Sequence, residues 1–165
     1  MQRQISDYAA FLDRIVRPTH YQVVQLKQRN GDTIIGRSPG IDDAQTVYRD
    51  VSWRYIDRLS RSIYGNRGYR NRRHRPLPHL ITLEGDGVAV RYHLNVLLRQ
   101  PDWISTAEFA NRCEQVWWKS PWAYLGANSF YFDERTGDCP AYSLKDHLNK
   151  NGTDCILSYA PAEDS

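Results

Sequence analysis

His93 and Asn95 stand two residues apart in the segment RYHLNVLLRQP, Arg91 to Pro101. Side chains alternate along a strand, so His93, Asn95 and Leu97 would share one face, and Tyr92, Leu94, Val96 and Leu98 the other. The second face is wholly hydrophobic and requires a core. The first sets an imidazole beside a carboxamide, which suits a metal ion and equally suits an ordinary polar strand face. A second grouping lies in AYSLKDHLNK, where Tyr142 and Lys145 are one helical turn apart. A phenol with an ordinary pKa of about 10 is a poor nucleophile until it is positioned and helped to lose its proton. A neighbouring lysine favours the phenolate. A helix-surface tyrosine, one of 11 in the chain, is the plain alternative. The third grouping is GNRGYRNRRHRPLP (65–78), with Arg67, Arg70, Arg72, Arg73 and Arg75. Read as a flexible basic loop with Tyr64 and Tyr69 interleaved, it suits phosphate contact and base stacking, or else a solvated charge run.

These groups must be positioned by elements, and the chain supplies signals for them. SDYAAFLDRIV (6–16) predicts a short amphipathic helix that Pro18 ends. HYQVVQLKQ (20–28) and DTIIGR (32–37) predict strands joined in a hairpin at Asn30-Gly31. From Ala44 to Tyr64, Val47, Val51, Tyr55, Leu59 and Ile63 recur every four residues, a helical stripe. HLITLEG (79–85), a turn at Asp86-Gly87 and VAVRYHLNVLLR (88–99) predict an antiparallel pair. Whether Glu84 shares a face with His93 depends on its register, as does any ligand role for His79. Ser105 with Glu108 is a capping box ahead of Phe109, Cys113, Val116 and Trp117. YLGANSFYFDER (124–135) predicts a strand, Pro140 to Gly152 a helix with Ala141, Leu144 and Leu148 inward, and CILSYA (155–160) a last strand. The expected fold class is α+β: one domain over 1–165, with a central, mostly antiparallel sheet of about five strands and helices packed against it.

Composition narrows the partners. No run of about 18 apolar residues exists, so no membrane span is expected. The first residues do not read as a secretory signal, and Cys113, Cys139 and Cys155 fit neither a disulfide framework nor a zinc finger, which predicts a cytoplasmic setting. The net charge of +3 is unevenly spread. Residues 1–75 carry 15 Lys and Arg against 7 Asp and Glu, whereas residues 76–165 carry 7 against 12. A cationic half beside an acidic one suggests a polyanion-binding surface next to a cation-using site, or simply uneven solvation.

The order of LITLEGDG, RYHLNVLLRQP and AYSLKDHLNK, covering about residues 79–152, resembles the HUH-superfamily endonucleases, the nicking enzymes of rolling-circle replication and their transposase and relaxase relatives. The resemblance implies a metal-dependent nickase that cuts single-stranded or hairpin DNA and later rejoins it. Tyr142 would be the nucleophile that becomes a 5′-phosphotyrosine, and Lys145 would orient the phosphate. Glu84, His93 and Asn95 would hold Mg2+ or Mn2+. Asn95 stands where the family's name places a second histidine, so its carboxamide oxygen would be the ligand there. The five arginines would bind DNA. The implied role is initiation of rolling-circle replication of a plasmid, phage or other mobile element. No Walker G-x-x-x-x-G-K sequence is present, so a helicase would come from another chain. Two alternatives are a tyrosine transposase of the same chemistry and a nucleic-acid-binding module without catalysis.

Overall fold

The segment that carries His93 is the middle strand of a five-stranded antiparallel sheet. The computed structural model describes residues 2–31, 33–35, 44–85, 89–135 and 156–162. Its strands are β1 (His20–Gln25), β2 (Arg29–Asn30), β3 (Thr33–Ile34), β4 (His79–Glu84), β5 (His93–Leu98), β6 (Phe130–Glu134) and β7 (Ile156–Ala160). Its helices are α1 (Gln2–Val16), α2 (Ala44–Asn71) and α3 (Thr106–Trp118). The main sheet runs β6-β1-β5-β4-β7, while β2 and β3 form a separate ribbon. The expected α+β architecture, with helices against an antiparallel sheet, is the observed one.

The alternation in β5 divides the molecule as its sequence predicts. Leu94, Val96 and Leu98 enter the main core with Val24 of β1, Ile81 and Leu83 of β4, and Tyr55, Ile56 and Leu59 of α2. Phe109, Cys113, Val116 and Trp117 of α3 close the same core, and Ser105 caps that helix by accepting from the Glu108 N–H at 3.2 Å. Ser60 ties α2 to the sheet: its hydroxyl donates to the Ile56 carbonyl at 2.7 Å and accepts the Leu77 N–H at 2.9 Å. On the opposite face α1 covers one end only, with Ala9, Leu12 and Val16 against Leu80 and Leu97. The other end of that face carries Glu84 and His93. They are the only half-buried positions in β4 and β5, all of whose other residues are buried.

Three expectations change. Asn30-Gly31 does turn the chain, with Gly31 at φ 58°, but it joins only the two-residue strands β2 and β3. Both edges of β1 are taken, one by β5 and the other by β6, so among the described residues the pairing expected of 20–28 with 32–37 is reduced to this ribbon and the Ile35 N–H to Gln28 carbonyl bond at 2.8 Å. Residues 65–71 are helical, not loop: α2 kinks at Gly65 (φ 68°, ψ 161°) and continues to Asn71. Tyr69 is why the extra turns hold, since it is buried at 1% exposure and a Tyr69–His74 edge contact at 5.2 Å seals the corner. The strand expected over 124–135 is confined to β6.

Candidate metal centre

Antiparallel pairing of β4 with β5 sets Glu84 directly opposite His93. Paired residues share a face, so the register answers what spacing alone left open. Glu84 Oε2 lies 3.0 Å from His93 Nε2, and both side chains are largely shielded from solvent. The other ring nitrogen, Nδ1, donates to the Arg91 carbonyl at 3.0 Å. That carbonyl is presented by a close chain approach: Gly85 sits at φ 99°, and a Cβ there would stand 2.5 Å from the Arg91 oxygen. Burial alone would lower the His93 pKa. The hydrogen bonds to Glu84 and to the Arg91 carbonyl, with the Glu84 charge, outweigh it and leave the pKa raised. Below that raised pKa the pair is an imidazolium–carboxylate ion pair.

The same geometry fits a hard divalent ion. Ligands held about 2.1 Å from such an ion at right angles stand about 3 Å from one another, which is the observed Glu84–His93 separation. With Nε2 deprotonated, the Arg91 carbonyl would keep the remaining proton on Nδ1 and leave the Nε2 lone pair to a ligand, the usual outer-shell role of a carbonyl behind a ligating histidine. Among the described residues there is no group of three or more His, Cys, Asp or Glu that could hold a metal. The remaining coordination would come from water and phosphate oxygens, as suits Mg2+.

Asn95 shares the face of His93 but lies one step further in, at 2% exposure. Its Oδ1 accepts from the Tyr21 hydroxyl at 2.7 Å, leaving the amide nitrogen buried and without a partner. Its cross-strand neighbour Thr82 is likewise buried with an unpaired hydroxyl. The oxygen expected to bind metal is thus engaged by a phenol. Tyr21 and Thr82 escaped sequence reasoning, although the alternation in HYQVVQ and HLITLE puts both on this face once the register is known. His79 is five residues before Glu84 and points into the main core. Its Nδ1 donates to the Leu77 carbonyl at 2.7 Å, its Nε2 meets Ser158 Oγ at 2.7 Å, and burial pushes its pKa down to about 4. It cannot replace a ligand on the opposite face. Tyr142 and Lys145 lie outside the described residues.

The arginines do not surround this centre. Arg67 and Arg70 follow the α2 kink, and Arg72, Arg73 and Arg75 form the turn that leads to the start of β4. Glu84 is at the end of β4. Five strand steps of about 3.4 Å, roughly 17 Å, separate Glu84 from the start of β4, into which the basic corner leads. The tyrosines there are not open stacking platforms either. Tyr69 is buried, and the Arg72 guanidinium lies over the Tyr64 ring at 4.4 Å. Trp117 and Trp122 are core residues. No helix among the described residues is long and apolar enough to cross a membrane.

No protein-family model matches the chain, and neither a curated protein nor a solved structure shows significant similarity to it.

Proposed function

We propose that this protein is a metal-dependent endonuclease that nicks and rejoins single-stranded or hairpin DNA through a tyrosine. The observation that carries the reading is the register-locked Glu84–His93 pair, 3.0 Å apart at the end of the central strands that α1 leaves uncovered. Glu84 and His93 would hold Mg2+ or Mn2+, which when bound supplies a Lewis acid for the scissile phosphate. Tyr142 gives up its phenolic proton to solvent water, the phenolate being favoured by the Lys145 charge, and its oxygen attacks phosphorus. The P–O3′ bond breaks, the departing 3′-oxygen takes up a proton, and a 5′-phosphotyrosine remains. Because one phosphoester replaces another, the free 3′-hydroxyl can later reverse the step and reseal the strand. The biological setting is cytoplasmic initiation of rolling-circle replication of a mobile element, with any helicase supplied by a separate chain. A tyrosine transposase would use the same chemistry.

The second reading is a DNA-binding module without nuclease activity, and what favours it is the Tyr21 hydrogen bond that occupies the Asn95 oxygen. One experiment separates the two. The protein is incubated with a labelled library of single-stranded hairpins and Mn2+, then run on a denaturing gel. A covalent adduct is expected from wild type, lost with EDTA, with Glu84→Gln and with Tyr142→Phe. No adduct from wild type across the library would sink the nuclease reading, and an adduct that survives Tyr142→Phe would move the nucleophile elsewhere.

A further inference from the structure

The basic corner lies at the far end of β4 from the Glu84–His93 pair, yet one exposed arginine stands at the pair's own end of the sheet. Arg91 precedes His93 by two residues, and its carbonyl accepts the His93 Nδ1 proton. Its side chain is exposed and lies flat over the Tyr124 ring, with the guanidinium carbon 3.9 Å from the ring centroid. Stacked on that ring, the guanidinium keeps its N–H groups in its own plane, away from the ring face. Tyr124 is itself held in place. Its backbone N–H donates to the Gln25 carbonyl at 3.1 Å, and Gln25 is the cross-strand partner of His93 on β1. The backbone of Gly126 packs so closely on the Tyr124 ring that a Cβ there would overlap it. Gly126, Tyr124 and Arg91 thus form a fixed stack at the same end of the sheet as Gln25, His93 and Glu84.

The geometry points to a phosphodiester-binding subsite in which Arg91, held flat on Tyr124, takes a neighbouring phosphate of the DNA strand about two strand spacings, roughly 10 Å, from His93. This rests on the nuclease reading for its ligand, but not on cleavage. A stacked guanidinium keeps its planar fork of donors while losing little rotamer freedom on binding, and that fork matches two phosphate oxygens at once. A lysine would keep the charge but neither the stacking nor the fork. Gly126→Ala provides a variant that leaves every charge in place, since the added methyl would displace the end of the Tyr124 ring rather than backbone.

The test is fluorescence anisotropy with a labelled single-stranded oligonucleotide in EDTA at several salt concentrations, with thermal melts to verify folding. Arg91→Ala is expected to raise Kd about tenfold and to reduce the salt slope by about 0.7. Arg91→Lys should keep the slope but not the affinity, and Gly126→Ala should weaken binding with the slope unchanged. An Arg91→Ala protein with wild-type Kd and slope overturns the subsite, as does a wild type that binds no single strand. The two proposals fail differently. Arg91-dependent binding without any adduct defeats the nuclease reading and supports the subsite. Adduct formation with an unchanged KM in Arg91→Ala defeats the subsite and leaves the nuclease reading standing.

Discussion

Both ring nitrogens of His93 face acceptors, the Arg91 carbonyl and the Glu84 carboxylate, each at 3.0 Å. A cation entering the pair would compete with a proton for Nε2. The His93 pKa is raised, so its charge contributes stability that is fully present below the unfolded value of 6.5 and lost as pH climbs through the folded value. Glu84→Gln removes the charge and the strongest acceptor but leaves the burial that lowers the pKa. In NMR titrations the His93 midpoint should lie above 6.5 in wild type and fall below 6.5 in Glu84→Gln. Mn2+ affinity should increase by up to about tenfold per pH unit until that midpoint is passed, then level off. An unchanged midpoint in Glu84→Gln would mean that the carboxylate does not set the charge of His93. The residue types of this pair were legible in the sequence, and so was the face of His93. What the sequence could not supply was the register, since a one-residue slip would turn Glu84 to the core side.

At the scale of elements, α2 shows where local signals misled. Glycine, proline and five arginines argue for a loop over 65–78, yet the helix resumes after Gly65 because Tyr69 has a buried place to fill. The interruption itself depends on glycine. Gly65 at φ 68° and ψ 161° occupies backbone space that side-chain-bearing residues rarely enter, while nothing crowds its Cβ position. Gly65→Ala should therefore destabilise the fold by about 1–3 kcal/mol through backbone strain alone. Urea melts would measure this, and a variant as stable as wild type would show that the kink does not need glycine. The long-range periodicity of α2 and the alternation of β5 were readable because each follows one burial pattern over many residues. The Asn30-Gly31 turn was also readable, but not its partner strands. Pairing of β1 is decided by β5 and β6, which follow it by roughly seventy and more than a hundred residues, and no local pattern encodes that choice.

Across the whole molecule, positive charge sits in two places relative to the Glu84–His93 pair, and a bound strand would meet them unequally. Arg91 is at the pair's end of the sheet, whereas Arg67, Arg70 and Arg73 are exposed at the far end of β4. Arg72 is stacked on Tyr64, so its loss should lower stability as well as charge. A strand stacked at the duplex rise of about 3.4 Å per nucleotide needs roughly five nucleotides to cover the 17 Å length of β4, and more to pass from the pair's face to the side that α2 covers. Oligonucleotides of about four nucleotides should then reach one end only, and affinity should step up once both are spanned, as the second contact becomes intramolecular. Arg70→Ala combined with Arg73→Ala should weaken binding of long strands and reduce their salt slope by about 1.4, with little effect on the shortest strands that bind at the pair. Arg91→Ala should weaken short and long strands alike. Kd measured against strand length for the three proteins checks this. If the double variant lost as much affinity for the shortest strands as for the longest, a single continuous binding surface would replace the two-ended one, and the basic corner would have to lie on the path of every bound strand.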